Sequence, residues 1–463
     1  MRRRSLTGPL LLLVIGGLFL WRNLHPETPV FELVAQYWPF LLIAWGLLRL
    51  IEVLFSRGEG WRSTFTGGEI VLIVLICVAG SGLWAAHTHG ARFVVGGLDW
   101  FGEQYDYPVS AQAAAANMKR IVFEDTRGNI KVTGVDGQDV TINGHKMIRA
   151  YDRNAADRSN EHTPVEIVPQ GDRLLIRTNQ DRVPDNERIS DDLEVTVPRT
   201  MAVEARVRSG DYEISDVGGD VELGADRGDV RLSRIGGNAR LEVGHSDLIR
   251  AQNVTGKIDI TGRGSDIELQ DISGQVVING SYSGTLSFKN LAMPLQFEGA
   301  SRNTELNVQA VPGEIRMDLG EFTAENLTGP IRLVTGSRDV TVTNFTKSIE
   351  VQTQRGDITL HPAVPMPAID AQSDAGRIDV VMPPKATFQL EATAERGEAE
   401  DDFGPPIERQ MQGRSATLKG KVGDGPMVRL VARHGSVAVR KEGNPPSDDA
   451  KSSKSLKDTE IKM

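Results

Sequence analysis

A row of aspartates is the feature of this chain with the clearest capacity for chemistry. The aspartates recur at nearly constant spacing in the turns of a repeated segment, at Asp211, Asp229, Asp247 and Asp266. Carboxylates aligned on one face of a stacked-repeat protein could act as general acids and bases. Stacked carboxylates repel one another unless they are paired or hydrogen-bonded, so turn formation explains this row better than catalysis does. We therefore predict that the protein is not an enzyme and has no catalytic residues.

Two Arg-Gly-Asp tripeptides and three glycosylation sequons lie in the same kind of turn. Arg227-Gly228-Asp229 and Arg355-Gly356-Asp357 occupy the turn position that Ser209-Gly210-Asp211 occupies elsewhere. We interpret both as turns rather than cell-attachment sites, because one explanation covers all three segments. The sequons are interpreted in the same way, since Asn suits the turn conformation at Asn253, Asn326 and Asn344.

Metal and cofactor sites are not predicted. Histidines of the C-terminal part are scattered over turns and loops, at His145, His162, His245, His361 and His434. His87 and His89 have no carboxylate or thiol partner, which leaves too few ligands for a metal site. Cys77, the single cysteine, lies in an apolar segment and is interpreted as a packing residue. The turns also lack the glycine-rich nonapeptide of calcium-binding solenoids.

The turns that carry these motifs belong to a repeat that extends over residues 209–380. Its marker is a polar or small residue followed by an apolar one, at steps of 18, 19, 18, 19, 20, 16, 18 and 19 residues. A period this regular is typical of stacked repeats. The markers are Asp216-Val217, Arg234-Ile235, Asn253-Val254, Asp271-Ile272, Asn290-Leu291, Ala310-Val311, Asn326-Leu327, Asn344-Phe345 and Ala363-Val364.

Each repeat contains two short strands with apolar residues two positions apart, so that one face of each strand points inward. A single repeat is too short to bury that face, whereas stacked repeats bury it continuously. The pattern therefore predicts a mainly β protein, with a β-solenoid of about 9–10 coils of 18–20 residues each. A β-sandwich or meander of the same strands is the alternative.

The composition agrees with short strands joined by tight turns. Glycine is abundant, with 48 residues, and aromatic residues make up 6% of the chain. At 463 residues the chain is too long for one compact core, which predicts two or more units. The net charge of −10 argues against nucleic-acid binding, which requires a basic face.

Three apolar runs at residues 8–21, 37–55 and 70–86 predict a three-helix transmembrane region over residues 1–90. Their lengths approach the roughly 17 to 20 residues that cross a bilayer. A cleaved signal peptide is the alternative for the first run, although no small-residue cleavage site follows it. Arginines 2–4, 57 and 62 flank the spans, so the positive-inside rule places the N-terminus in the cytoplasm and the chain after Ala86 outside. Membrane lipids are the predicted partners of these helices.

The first two spans have a recognisable sequence. Gly8-Pro9-Leu10-Leu11 opens the first, and Trp38-Pro39-Phe40-Leu41-Leu42-Ile43-Ala44-Trp45-Gly46 lies in the second. They resemble the membrane region of LiaI/LiaF-type bacterial proteins, a family associated with cell-envelope stress signalling. The resemblance implies a location in the bacterial cytoplasmic membrane and an integral membrane or envelope protein as a partner.

Around the repeat, the pattern predicts five further regions. Residues 91–118 are predicted as a linker, and residues 119–208 as irregular β-strands that lead into the solenoid. Residues 152–163 are polar and predict a surface loop within that lead-in. Residues 381–441 are predicted as C-terminal strands that cap the solenoid, and residues 442–463 as a disordered tail.

Three phrases outside and at the edges of the repeat resemble the adhesin-like bacterial β-repeat family DUF4097. They are Leu193-Glu194-Val195-Thr196-Val197-Pro198, Ile378-Asp379-Val380-Val381-Met382-Pro383, and the closing segment with Val428-Arg429-Leu430-Val431 and His434-Gly435-Ser436-Val437. The resemblance covers residues 119–441 and implies the repeat architecture. The family offers no catalytic residues to transfer.

Two functions follow as hypotheses. The first is a non-catalytic, membrane-anchored envelope protein that displays an extracytoplasmic β-solenoid as an adhesion, scaffold or interaction surface. The second is a regulator or sensor of envelope stress that acts through its transmembrane helices on a membrane partner. A glycan-processing enzyme built on the solenoid is a third, weaker alternative.

Overall fold

The computed structural model describes residues 103–150, 152–183, 187–300 and 303–443, together with the single helical residue Cys77. Apart from Cys77, the predicted transmembrane region lies outside this part of the chain, as does the predicted tail from residue 444. Among the residues described, no helix has the length and apolar character needed to cross a membrane.

The N-terminal part contains seven strands and one helix. They are β1 (Glu103–Ala114), β2 (Arg120–Arg127), β3 (Ile130–Val135), β4 (Asp139–Ala150), α1 (Arg153–His162), β5 (Glu166–Gln170), β6 (Arg173–Arg177) and β7 (Arg188–Pro198). β1 pairs antiparallel with β4 from Glu103 opposite Ala150 to Ala114 opposite Asp139. Residues 103–114 are therefore a strand and not the linker that the sequence predicts. Val109 and Ala111 explain this, because alternate residues of β1 pack against the core.

The predicted surface loop at residues 152–163 is also corrected, because it contains α1. Asp152 caps the helix by accepting a hydrogen bond from the backbone N–H of Ala155 at 2.7 Å. Ala156 and Ser159 are buried at helical spacing against the strands below. Because the other residues of the helix are mostly polar, the sequence pattern does not reveal these two buried positions.

The next nine strands build a parallel stack. They are β8 (Ala202–Ser209), β9 (Tyr212–Ser215), β10 (Val221–Arg227), β11 (Val230–Ile235), β12 (Ala239–Val254), β13 (Ile258–Ile272), β14 (Val276–Tyr282), β15 (Leu286–Leu291) and β16 (Leu295–Gly299). Val221 pairs with Ala239, and Ala239 with Ile258, one coil further on. The period of the sequence thus becomes the parallel register, because each coil repeats the hydrogen bonds of the coil before it.

The stack begins before the predicted repeat. β2 pairs in parallel with β8, and β3 with β9, so that Ile130 lies beside Tyr212. These two strands form a coil of the same kind as those that follow. The sequence conceals it because α1 and four strands are inserted before the next coil, which removes any fixed spacing.

One coil in the middle of the stack runs in the opposite direction. It consists of β17 (Thr304–Val308) and β18 (Val311–Met317). β17 is antiparallel to its neighbour β16, and β18 to its neighbour β15. The sequence assigns these strands to the repeat like any others. The reversal coincides with the marker steps of 20 and 16 residues, where a hairpin on each side replaces the usual corner.

The remaining strands resume the original direction except Ser415–Val422, which is antiparallel to both of its neighbours. They are β19 (Glu321–Leu327), β20 (Ile331–Ser337), β21 (Asp339–Phe345), β22 (Ile349–Arg355), β23 (Ile358–Pro362), β24 (Ile369–Ala375), β25 (Ile378–Met382), β26 (Phe388–Ala394), β27 (Ala399–Asp401), β28 (Ile407–Gln412), β29 (Ser415–Val422), β30 (Met427–His434) and β31 (Val437–Lys441). β30 lies between β24 and β26, and β31 lies between β25 and β27. The end of the chain is thus inserted between two coils that precede it in sequence.

All these strands belong to one continuous sheet that folds into two faces around one core. We name as face A the pairing order β5-β6-β2-β8-β10-β12-β13-β14-β16-β17-β20-β22-β24-β30-β26-β29-β28. Face B follows the order β1-β4-β7-β3-β9-β11-β12-β13-β15-β18-β19-β21-β23-β25-β31-β27. Residues such as Leu223 on face A and Leu232 on face B are buried in the shared core. The result is a mainly β, solenoid-like domain with continuous hydrophobic burial along its length.

Candidate functional site

The turns that lead from face A to face B are built by glycine and aspartate. Gly228 has a φ of 136°, and a side chain there would collide with the carbonyl oxygen of Gly210 one coil earlier. The carboxylate of Asp211 accepts a hydrogen bond from the backbone N–H of Asp229 at 3.1 Å. Asp229 in turn accepts from the N–H of Leu248 at 2.9 Å. The carboxylates of the predicted row therefore connect successive coils.

Asp247 does not belong to this row, which corrects the register that the sequence suggests. β12 contains a register shift between Val243 and Ser246, so that Leu248 takes the position next to Asp229. Asp247 is exposed at the surface, 3.8 Å from the imidazole of His245. The row continues with Asp266, which accepts from the backbone N–H of Thr285 at 2.7 Å.

Both Arg-Gly-Asp tripeptides lie in these turns. The carboxylate of Asp229 also accepts a hydrogen bond from Arg231 at 3.0 Å, and Asp357 accepts from the backbone N–H of Arg377 at 2.8 Å. Each carboxylate is therefore occupied within the domain. This arrangement agrees with the interpretation of the tripeptides as turns.

The corners that lead from face B back to face A explain the repeat marker. Seven of the nine markers begin with a residue of positive φ: Asp216, Arg234, Asn253, Asp271, Asn290, Asn326 and Asn344. Asn and Asp tolerate this left-handed conformation better than most residues do. Side chains of neighbouring corners bond to each other, as in the donation from Asn290 to Asp271 at 2.6 Å. The three sequon asparagines are thus corner residues.

The histidines lie apart from one another. His145 lies 3.4 Å from Asp106, and His434 lies 3.1 Å from Arg396. In the part of the chain that the structure describes, no three His, Cys, Asp or Glu side chains cluster as metal ligands would. His87 and His89 lie outside that part.

A buried polar cluster beneath α1 was not identified from the sequence. Lys146 on β4 and Asp191 on β7 are cross-strand neighbours with exposed fractions of 2% and 1%. The Lys146 ammonium donates hydrogen bonds to the backbone carbonyl and the hydroxyl of Thr163, just after α1. Gln180 donates to the Asp191 carboxylate at 2.6 Å. The cluster thus joins α1 to the first strands of face B.

Burial controls the protonation of this pair. Desolvation raises the pKa of Asp191 to about 6, although the bond from Gln180 and the charge of Lys146 act in the opposite direction. Desolvation likewise lowers the pKa of Lys146, against the effect of Asp191. One oxygen of Asp191 has no hydrogen-bond partner among the described residues. Burial thus disfavours the charged form of both residues.

A groove lies on face A. It has a volume of about 510 Å³ and follows the stack across six adjacent strands, β16, β17, β20, β22, β24 and β30. Strands are spaced about 4.8 Å apart, so the groove is roughly 24 Å long. Its polar lining consists of Gln296, Asn307, Gln309, Arg332, Ser348, Glu350, Asp370 and Arg429.

Comparison with protein families identifies the domain. Residues 155–440, more than half of the chain, match the family model described as Toastrack DUF4097. The chain belongs to the Toastrack DUF4097 family. Residues 7–97 match the LiaF transmembrane domain. Both family resemblances predicted from the sequence are thereby confirmed. The chain is a membrane-associated envelope protein with a C-terminal Toastrack domain. Neither family description names a catalytic activity.

Solved structures with partial similarity to the Toastrack domain carry adhesion-related names. A putative cell adhesion protein from Clostridium sporogenes is 9% identical over 73% of this chain and 100% of its own, with a TM-score of 0.17. A putative adhesin from Bacteroides fragilis is 11% identical over 72% of this chain and 97% of its own, also with a TM-score of 0.17. These TM-scores are too low to support an argument, so the family assignment depends on the sequence match. No curated protein matches the chain.

The two features of the described residues that sequence reasoning missed both depend on distant strands. Lys146 and Asp191 are 45 positions apart, and they meet through the pairing of β4 with β7. The groove combines strands on both sides of the reversed coil with β30 from the end of the chain. The sequence contains one signal for Lys146. This charged residue lies on the same face of its strand as the apolar residues Ile142 and Ile148, where an apolar residue is expected.

Proposed function

We propose that this protein is a non-catalytic, membrane-anchored component of the cell envelope whose Toastrack domain acts as an interaction surface. The observation that carries the proposal is the groove of face A, which extends across six strands of a rigid stack. An elongated groove in which polar side chains alternate with apolar residues on paired strands fits a binding surface better than it fits a compact catalytic pocket.

The turn carboxylates support the non-catalytic part of the proposal. Asp211, Asp229 and Asp266 each accept a backbone hydrogen bond from the next coil. A general acid or base must exchange protons with a substrate, and these carboxylates are committed to holding the turns. Their alignment therefore follows from the stack itself.

The location is proposed from the charges around the apolar runs. The match of residues 7–97 to the LiaF transmembrane domain supports membrane anchoring. We propose three retained helices in the bacterial cytoplasmic membrane, with the N-terminus in the cytoplasm and the Toastrack domain outside. The solenoid of about 9–10 coils would then project from the outer surface of that membrane.

A second candidate function is regulation of envelope stress through the transmembrane helices. The match to the LiaF transmembrane domain is the observation that favours it. In that case the helices would contact a membrane partner, and the Toastrack domain would sense the state of the envelope. In the first function the Toastrack domain makes the essential contact with a partner. In the second function the transmembrane helices make it.

Site-specific photo-crosslinking of the full-length protein in its native membrane separates the two functions. Crosslinkers at Gln296 and Asn307 probe the groove, and crosslinkers at Leu11 and Leu42 probe the apolar runs. We expect envelope components to be captured from the groove positions. Capture from Leu11 and Leu42 alone would overturn the proposal and favour regulation. Loss of the biological activity of the protein in Asp211→Asn, without a decrease in its free energy of unfolding, would overturn the assignment of the protein as non-catalytic.

A further inference from the structure

We propose that the groove of face A binds an extended glycan chain aligned with the axis of the stack. This inference rests on the proposed function and specifies the chemistry of the ligand. The groove crosses the ends of six neighbouring strands, from Pro294 beside β16 to Arg429 on β30. A ligand that fills it therefore lies across the strands and meets one coil after another.

The backbone of these strands has no free edge for a peptide. β17 is paired with β16 and β20, and β22 with β20 and β24, so their N–H and C=O groups are engaged on both sides. A peptide that binds a sheet by adding a strand requires an open edge parallel to itself. Recognition in the groove must therefore come from side chains.

The side chains along the groove offer both donors and acceptors of hydrogen bonds along the stack. Gln296 and Asn307 supply amides on adjacent strands, and Glu350 and Asp370 supply carboxylates two and three strands further on. Gln352 donates to Glu350 and Gln372 donates to Asp370, each at 3.1 Å, which orients both carboxylates. These two acceptors of the lining are therefore held in place by neighbouring side chains.

The charges of the groove exclude a polyanion. Arg332 lies 4.0 Å from Glu350, and Arg429 lies next to Asp370 in the strand register. Two cations are thus balanced by two carboxylates, which would repel a chain of phosphates. Sugar hydroxyls both donate and accept hydrogen bonds, so one repeating polymer can satisfy amides, carboxylates and guanidinium groups along the whole groove.

Apolar groups lie beside these polar side chains. Pro294 beside β16 and Pro330 before β20 line the groove, and Met427, with an exposed fraction of 48%, begins β30 at its other end. They provide apolar contacts for the faces of sugar rings along the groove. An uncharged or zwitterionic polysaccharide of the envelope combines these properties.

Binding of uncharged glycan strands, linear β-1,4-linked oligomers of N-acetylglucosamine, to the full-length protein in detergent tests the inference. Affinity is measured by microscale thermophoresis. Stem peptides of peptidoglycan and inorganic polyphosphate are measured in parallel. We expect binding of the glycan strands and a Kd about tenfold or more higher in the double variant Gln296→Ala, Asn307→Ala, since two hydrogen bonds are lost.

The matched control is the double variant Glu222→Ala, Arg240→Ala. These residues are exposed at the equivalent outward position of face A, outside the groove. The control is expected to bind glycan strands with unchanged affinity, and both variants must unfold at the temperature of the wild type. Absence of glycan binding, or equal loss in both variants, overturns the inference. Groove-dependent binding of stem peptides or polyphosphate instead of glycan also overturns it.

These outcomes are distinguishable from failure of the proposed function. Capture of a different envelope component at Gln296 or Asn307, without glycan binding, overturns the glycan inference and leaves the interaction surface intact. Glycan binding that the groove variants leave unchanged also overturns the inference, because another surface of the domain must then bind the glycan.

Discussion

Arg234 donates hydrogen bonds from Nε and Nη2 to the carboxylate of Asp216, at 2.7 and 2.6 Å, across one step of the stack. Both residues occupy a corner with left-handed backbone, at φ of 54° and 60°. The hydrogen bonds from Arg234 lower the pKa of Asp216. The same position is Asn253, Asp271 and Asn290 in the next three coils, so backbone conformation, rather than charge, is the property that the corners share.

Asn253 tests the importance of this backbone conformation. Asn253→Gly is expected to retain the stability of the wild type, because glycine adopts positive φ without strain. Asn253→Val is expected to lower the free energy of unfolding by about 1–2 kcal/mol, because a side chain branched at Cβ resists the left-handed conformation. Urea denaturation of the full-length protein measures both. The control is Gln252→Val, one position earlier in extended backbone, which is expected to have little effect. Equal effects of the two valine substitutions would contradict the role of the corner.

Asp229 and Asp247 form a matched pair for the turn row. Asp229→Ala removes the acceptor for the backbone N–H of Leu248 and for Arg231. We expect it to lower the free energy of unfolding by about 1–2 kcal/mol, as loss of a capping carboxylate does. Asp247→Ala is expected to leave stability unchanged, because this side chain is exposed in the corresponding turn of the next coil. If Asp247→Ala lowers the unfolding temperature more than Asp229→Ala does, the register assigned to the row of aspartates is incorrect.

The buried pair beneath α1 predicts a dependence of stability on pH. The pKa of Asp191 is about 6 in the folded chain, above its ordinary value of 3.8. The folded chain therefore binds a proton more tightly than the unfolded chain, and stability is expected to fall as pH rises through about 4 to 6. The difference between the two pKa values corresponds to about 3 kcal/mol for this residue.

Asp191→Asn is expected to remove this decrease, because the amide cannot ionise. Chemical denaturation of wild type and variant at several pH values between 4 and 7 measures it. Asp247→Asn, a change of charge at an exposed site, serves as the control and should retain the decrease. If the free energy of unfolding changes with pH in the same way in wild type and Asp191→Asn, Asp191 is not the residue responsible for the decrease. Lys146 faces Asp191 from β4 and Asp192 adjoins it on β7, and both remain in the variant.

Two buried tyrosines give opposite predictions for the loss of a hydroxyl. The Tyr282 hydroxyl is buried without a hydrogen-bond partner among the described residues, and burial raises the pKa of Tyr282 to about 12. Tyr282→Phe is expected to maintain or increase the free energy of unfolding, by up to about 1 kcal/mol. Tyr212 donates to the carbonyl of Gly128, so Tyr212→Phe is expected to decrease it by a similar amount. Destabilisation of equal size in both variants, measured by urea denaturation, would contradict this distinction.

The local pattern of the sequence was sufficient to predict the two-strand coils. Alternating apolar residues define the buried face, and the corner residues with positive φ produce the marker spacing. Residues 153–162 show where this reasoning fails, because only two buried side chains define α1 and the remainder of its surface is polar. β1 shows the same limit, since the residues that make its apolar contacts, Tyr105, Tyr107, Val109 and Ala111, are only half-buried.

The order of strands in the stack could not be read from the pattern. β17 and β18 have the same alternation as their neighbours but run in the opposite direction, because alternation defines a face and not a chain direction. Buried Arg338 stabilises this arrangement by donating to the carbonyl of Asp318 and to Thr335 and Thr304. Parallel and antiparallel pairing of such strands differ little in energy, so the hairpins on either side decide between them.

The sequence by itself determined the kind of protein this is, because periodicity, turn residues and apolar runs are local properties that each coil expresses independently. It determined the repeat, the glycine and aspartate turns, and the resemblance to a LiaF-type membrane region followed by a Toastrack domain. Only the tertiary structure decided which coils are neighbours. The insertion of β30 beside β24 and the reversal of β17 bring together the groove of face A, and the pairing of β4 with β7 joins Lys146 to Asp191. These contacts depend on hydrogen bonds between strands far apart in the chain, for which the local pattern of apolar residues carries no signal.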